Sequence, residues 1–318
     1  MSVLSKPYFH DEKAAFDQLE SIVWPTGPVC PHCGNADENR IYVLAGVLSK
    51  PSKKNPEGAE RHGLKKCGEC RKQFTVRIGT VFEESRLALH LWLQAIHLMC
   101  SSKKGISSNQ LARVLGITVK SAWFLSHRIR EAMRSGDLAP FGSGGGIVEV
   151  DETYVGGAKK FQKGKIVKKA PMLTLIDRET GRSASFIVDR ANRNEILPIL
   201  RENLDKEARV ITDDSGVYRE LDEEYSHAFV VHSKGQYGRG EIHTNTVEGY
   251  YSVFKRGMKG VYQHCSKKHL HRYAAEFDFR YSNRCKLGVN DEERTLAAIA
   301  GIVGKRLTYR GPHESRVG

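Results

Sequence analysis

The spacing of apolar positions changes several times along this chain, and each change marks a new kind of element. A short amphipathic helix is expected around Asp11–Ile22, closed by Pro25 and Gly27. Phe74, Val76 and Ile78 alternate as in a strand. The period then becomes helical: Leu87, Leu91, Ala95 and Leu98 recur on one face, and Ser108 to Trp123 reads as helix, turn at Gly116, second helix. Ser108 and Thr118 are placed to cap that pair. After Gly142-Ser-Gly-Gly-Gly146 the texture turns to short β-like runs at Ile147–Asp151, Met172–Asp177, Ala184–Val188, Val210–Asp213 and Phe229–His232. Thr180-Gly181-Arg182 suits a hairpin between the second and third runs, and helical patterns follow at 195–204, 217–221, 247–258 and 268–283.

This β-β-β-α-β-α-β-α order predicts an α/β domain with a ribonuclease H-like mixed sheet, preceded by two smaller modules. The expected divisions are a helical lead-in at 1–29, a cysteine-bearing module at 30–80, a helical domain at 81–137, a Gly-rich linker at 138–146, the α/β domain at 147–290, and a C-terminal helix with a basic tail at 291–318. Composition adds a partner. With 50 Lys+Arg against 37 Asp+Glu the net charge is +13, which favours a polyanion held through phosphate contacts. No apolar run approaches a membrane span, and Asp11, Glu12 and Lys13 interrupt the opening segment, unlike a secretory signal. Four of the seven cysteines fall in two CxxC pairs, which argues against a disulfide framework and for the reducing cytosol.

Three groups of residues carry candidate chemistry. Cys30, Cys33, Cys67 and Cys70 form two knuckles of the kind that hold structural Zn²⁺ in a zinc ribbon. The helix pair at 108–134 has the layout of a helix-turn-helix, with seven basic residues against one acidic between Ser101 and Arg134. Its second helix would present Lys120, Ser121, Phe124, His127, Arg128 and Arg130 to DNA. The third group is acidic: Asp151 at the end of one presumed strand, Asp213 at the end of another, and Glu248 on a helix. If the two strands are neighbours, their terminal carboxylates emerge side by side, and oxygen-only ligands of this type suit a pair of Mg²⁺ or Mn²⁺ ions.

Alternation leaves Asp214 in competition with Asp213, and Glu152 with Asp151. Glu248 also fits a capping box with Asn245. Helical spacing puts Glu248, Ser252, Lys255 or Arg256, and Lys259 on one side, joining an acid to phosphate-binding cations. The lysine run at 159, 160, 163, 165, 168 and 169 reads either as a solvated loop or as a hairpin or loop that grips the DNA backbone, and His243, beside the start of the Glu248 helix, is a candidate contact to DNA or a phosphate. Arg272 and Arg280 are expected on the exposed side of the last long helix.

The motifs CPHCG, the second CxxC followed by QFTV, RIGTVFEESRLALHLWL, VEVDETYVGG, TDDSGVY, HTNTVEGYYSVFKRGMKGVY and KKHLHRYAAEFDFRYSNR together carry a resemblance. The chain resembles bacterial insertion-sequence transposases with an N-terminal zinc ribbon and an acidic-triad (DDE-type) catalytic domain, in particular the fifteen-ninety-five group. The resemblance implies Mg²⁺-promoted hydrolysis at element ends, then attack of the freed 3′-hydroxyl on target DNA. It assigns the triad to Asp151, Asp213 and Glu248, with Asn245 a weaker competitor for the third place, and the ribbon ligands to the four cysteines. Bringing two ends together implies at least a homodimer during the reaction, and a bacterial setting implies association with the nucleoid. A catalytically silent regulatory DNA-binding protein, or a ribonuclease H-like nuclease acting on RNA or junctions, would use the same parts.

Overall fold

The computed structural model describes residues 2–53, 55–134, 136, 139–156, 169–231 and 240–308. The chain forms two compact units: one of Met1–Ser102, Ile106–Met133 and Asp291–Gly318, the other of Lys103–Gly105 and Arg134–Asn290.

The first unit opens with helix α1, Glu12–Val23, whose N-cap Asp11 accepts the Ala14 amide at 2.7 Å. A small antiparallel sheet follows, β1 (Ile41–Val43), β2 (Lys65–Cys67) and β3 (Gln73–Phe74), in that order. The strand expected through Ile78 stops at Phe74. Arg77, held among the carbonyls of Phe82, Ser85 and Leu87, turns the chain there. Helix α2, Leu89–Ser101, is capped from a distance, because Glu12 accepts the amides of Leu89 and His90. Of the four positions expected on its buried face only Ala95 is buried; Leu89, Trp92, Leu93, Ile96 and Met99 form the packed side. This helix is apolar nearly all round, so periodicity alone did not select the face.

Helices α3 (Ser108–Leu115) and α4 (Val119–Met133) are joined through Gly116 in the left-handed conformation. Thr118 caps α4 as expected, accepting the Ser121 amide at 3.1 Å, whereas Ser107 rather than Ser108 caps α3. Helix α9, Asp291–Ala300, returns to pack on α1, α2 and α4, so the C-terminal helix belongs to this unit.

The second unit is built on a five-stranded sheet. Its strands are β4 (Ile147–Val155), β5 (Ala170–Asp177), β6 (Ser183–Ile187), β7 (Arg209–Asp213) and β8 (Ser226–Val230), ordered β6-β5-β4-β7-β8. The first three pair antiparallel, and β4, β7 and β8 run parallel. On one face Val148, Val150 and Val210 pack with helix α5, Arg193–Asn203. The segment expected as a helix at 217–221 is instead a short turn at Gly216–Tyr218 followed by α6, Leu221–Glu224. On the other face Met172 and Ile176 pack with helices α7 (Asn245–Gly257) and α8 (Lys267–Ser282). β5 lies between two helical layers and is buried along its whole length, Thr174 and Asp177 included.

The glycine run expected to be a linker is a built turn. Phe141 is fully buried and bonds through its backbone to Asn203 and Asp205, and the Gly142 amide donates to Asp177 Oδ2 at 3.1 Å. Gly142 has φ +75°, and a Cβ there would lie 2.6 Å from Ala208 Cβ and 2.8 Å from Val148 Cγ2. Gly142→Ala is therefore expected to destabilise this unit by about 2 kcal/mol or more in a urea unfolding series. Gly144→Ala, with nothing within 4 Å of the added atom, should cost less, only the strain of its positive φ.

Candidate active site and zinc centre

The four paired cysteines converge. Cys30 and Cys70 sulfurs are 3.7 Å apart and those of Cys33 and Cys67 3.6 Å, close to the roughly 3.8 Å edge of a tetrahedron with Zn–S bonds of about 2.3 Å. Each knuckle turns through a positive φ just after its second cysteine, at Gly34 (76°) and at Arg71 (58°). Backbone N–H groups of Cys70 and Glu69 point at the Cys67 sulfur and push its thiol down to about 6, favouring the thiolate that a metal needs. Cys30, Ile41, Cys67 and Phe74 make the small core around this site. The donor set supports a structural Zn²⁺.

The acidic residues meet through strand register. Parallel pairing aligns Val148 with Val210 and Glu149 with Ile211, and the same offset carried two residues on sets Asp151 beside Asp213. Asp151 does not end its strand as expected. It sits mid-way along β4, which continues to Val155 against β5, but just past the point where pairing with β7 stops. Asp151, Glu152 and Asp213 each offer a carboxylate oxygen within 4.8 Å of the others. Glu152 thus joins Asp151 rather than replacing it, and its Oε2 accepts the buried Tyr218 hydroxyl at 2.5 Å. Asp214 is exposed on the solvent side of the strand end and outside that group.

Glu248 is not within the 4.8 Å group, yet it lines the same open cleft as Asp151, Glu152, Thr153, Tyr251, Ser252 and Lys255. The capping-box alternative fails on geometry. Asn245 is the first residue of α7, and the next two amides, of Thr246 and Val247, are accepted by Glu149. The Glu248 carboxylate accepts the Thr244 hydroxyl at 3.5 Å and faces the cleft. Lys255 lies 5.7 Å from the Tyr251 ring centre, bringing its charge to the rim. Arg256 and Lys259 are exposed further along, and Arg256 bonds back to Ser252.

Burial pushes the Asp151 carboxyl up to about 7, and the neighbouring charges of Asp213, Glu152 and Glu248 push the same way against one backbone hydrogen bond. Glu152 is raised as well, mainly by burial. Crowded carboxylates that repel one another in the absence of a cation are what an all-oxygen divalent-ion site presents.

Other expectations for DNA contact are corrected by burial. Arg128 is 5% exposed; its guanidinium donates to the Glu83 carbonyl at 2.6 Å and lies over Trp92, so it holds α4 to its neighbours. His127 and Arg130 are buried too. Lys120 is exposed and Ser121 half-buried in the first turn of α4, the latter bonded to Thr118. Arg280 is buried in an ion pair with Glu276 instead of exposed, and Arg272 is half-buried. His243 Nδ1 accepts a hydrogen bond from Arg178 at 2.8 Å. Lys159, Lys160, Lys163, Lys165 and Lys168 lie outside the described residues, as does His232.

Residues 144–282 match the ISXO2-like transposase domain, and residues 10–73 match the transposase zinc-ribbon domain. These two matches define a transposase of modular build. The chain belongs to the zinc-ribbon insertion-sequence transposases of the fifteen-ninety-five group. It is 27% identical over 290 residues to a protein in transposable element ISH50 of Halobacterium salinarum, covering 86% of this chain and 91% of the relative. A chain of the simian T-cell lymphotropic virus intasome in complex with PP2A regulatory subunit B56 gamma aligns at a TM-score of 0.29 and 13% identity. That alignment covers 53% of this chain and 63% of the viral complex's chain. Among the described residues no helix is long and apolar enough to cross a membrane.

Two measurements follow from these sites. Cys67→Ser should lower bound zinc below one ion per chain in elemental analysis and unfold the small sheet, seen as lost amide protection at 41–43 and 65–74. For Asp151, a carboxyl raised from 3.8 to about 7 contributes stability at low pH that is lost as pH rises through that interval. The metal-free protein should thus weaken between pH 4 and 7, and Asp151→Asn should remove on the order of 2 kcal/mol of that slope after solvent screening. Urea titrations of both proteins across this range, with chelator present, measure the difference.

Proposed function

We propose that this transposase binds the terminal inverted repeats of its element and performs metal-dependent DNA strand cleavage and transfer by a DDE-type mechanism. The observation that carries the reading is the convergence of Asp151 and Asp213 at one end of adjacent parallel strands, with Glu248 across the same cleft. The sheet order and mixed polarity support a ribonuclease H-like catalytic fold. The α3–α4 pair, with its left-handed Gly116 turn, supports a helix-turn-helix that offers Lys120 and Ser121 to the duplex.

The cleft residues divide the work. Asp151 and Asp213, joined by Glu152 or Glu248, would hold Mg²⁺ or Mn²⁺, which when bound supplies Lewis acidity to the scissile phosphate and a more acidic attacking hydroxyl. Tyr218 fixes the Glu152 carboxylate through its hydroxyl, and Tyr251 fixes β4 through the Asp151 carbonyl at 2.5 Å. Lys255 and Arg256 in the last turn of α7, with Lys259 just beyond it, form a cationic edge that can seat the phosphate backbone leading to the acids. Their charge acts on duplexes of any sequence, so selection of the repeat falls to the ribbon and the helix pair. Two such protomers would hold two element ends, giving a homodimer or larger assembly on DNA, in the cytosol with the nucleoid.

Labelled element ends incubated with the full chain and Mg²⁺ test the reading. Cleaved and joined products are expected from the wild type, with Asp151→Ala and Asp213→Ala each slower by on the order of 10³-fold. Equal products from wild type and both variants would contradict an acidic catalytic centre. Repeat-specific binding without any product from the wild type would instead favour a silent regulatory protein.

A further inference from the structure

Two residues before Asp151, on the same face of β4, stands a carboxylate that the proposed chemistry does not use. Glu149 is fully buried, a position an acid occupies at large cost unless its oxygens are satisfied. They are. Oε1 accepts Arg178 Nε at 2.6 Å, and Oε2 accepts the backbone amides of Thr246 and Val247, both at 2.9 Å. Those amides belong to the first turn of α7, where the helix has no acceptor of its own and its dipole is positive.

Arg178 extends the grip to the approach of the helix. It donates to the carbonyls of Glu241 at 2.6 Å and His243 at 2.7 Å, and to His243 Nδ1 at 2.8 Å. Arginine only donates, so His243 Nδ1 is the acceptor of that contact, and the same nitrogen lies 3.4 Å from Glu149 Oε1. One turn beyond Val247, the Tyr251 hydroxyl donates to the Asp151 carbonyl. Helix α7 is therefore fastened to β4 at two points, and Glu248 falls between them in sequence.

We propose that Glu149, oriented by Arg178, is a positioning residue that sets Glu248 opposite Asp151, so that a carboxylate remote from the ion fixes how well the cleft binds a divalent cation. The proposal rests on the reading of that cleft as a metal site. Burial elsewhere in the sheet would explain a Glu149 that contributes only to stability, and the two roles separate in a double-mutant cycle.

The experiment is Mn²⁺ binding to the full chain, followed by electron paramagnetic resonance of the free ion at constant pH. The proteins are wild type, Asp151→Asn, Glu149→Gln, Glu248→Gln and the Glu149→Gln/Glu248→Gln double variant. Glutamine keeps the shape of Glu149 but turns an N–H₂ towards Arg178 or the helix amides, which cannot accept it. Glu149→Gln is expected to weaken Mn²⁺ binding about 10-fold or more. The double variant should bind no more weakly than Glu248→Gln alone, because Glu149 acts through Glu248. Wild type that binds no Mn²⁺, or binds it equally after Asp151→Asn, overturns the metal reading itself. Binding that depends on Asp151 but is unchanged by Glu149→Gln, or losses that multiply in the double variant, overturn this proposal alone. Arg178→Lys carries the test if Glu149→Gln does not fold: it keeps the charge, loses the fork, and should weaken Mn²⁺ binding only when Glu248 is present. Wild-type affinity in Arg178→Lys then counts against the proposal.

Discussion

Parallel pairing of β4 with β7 forces like charges together, and much of the second unit is arranged around that cost. The register that aligns Glu149 with Ile211 leaves Asp151 and Asp213 beside each other where hydrogen bonding between the strands has ended. Burial, with the neighbouring charges of Asp213, Glu152 and Glu248, pushes the Asp151 carboxyl up to about 7, and a cluster of this kind is more typical of a functional site than of a stabilising one. Val148 and Val150 anchor β4 on the α5 side, while Met172 and Ile176 of β5 pack against the α7–α8 layer on the other face.

A second device recurs in both units: a glutamate from another element accepts the first amides of a helix that has no serine or aspartate cap of its own. Glu12 does this for α2 and Glu149 for α7. Such a cap fixes where a helix starts in three dimensions, which a local cap does not. For α2 the outcome is packing. For α7 it bears on the cleft, since the helix carries Glu248 and the cationic edge. The zinc knuckles solve a related problem in a sheet of only eight paired residues, where four sulfurs and a few apolar side chains replace a larger core.

Much of this was legible in the sequence for physical reasons. CxxC spacing encodes a local turn, so the four cysteines were found without any knowledge of the fold. The β runs were bounded within a few residues because alternation and turn residues are local signals. Asp151 and Asp213 could be paired only on the assumption that their strands were neighbours, and the sheet order meets it. Burial of charge was the blind spot. Arg128 and Arg280 read as exposed cations, yet each finds its partners inside: Glu83 and Trp92 for one, Glu276 for the other. The glycine run at 142–146 read as a linker because composition cannot distinguish flexibility from a tight turn against Ala208 and Val148. Glu149 was missed, although a glutamate between Val148 and Val150, in phase with Asp151, was the available signal.

The central claim is that the carboxylates converging on this cleft form one divalent-ion site. Anomalous diffraction from crystals soaked in Mn²⁺ tests it most directly. The account predicts a peak in the cleft within about 2.0–2.4 Å of oxygens from both Asp151 and Asp213, completed by Glu152 or Glu248. A well-diffracting Mn²⁺ soak with no peak there, or with manganese bound only at unrelated surface acids, would contradict it.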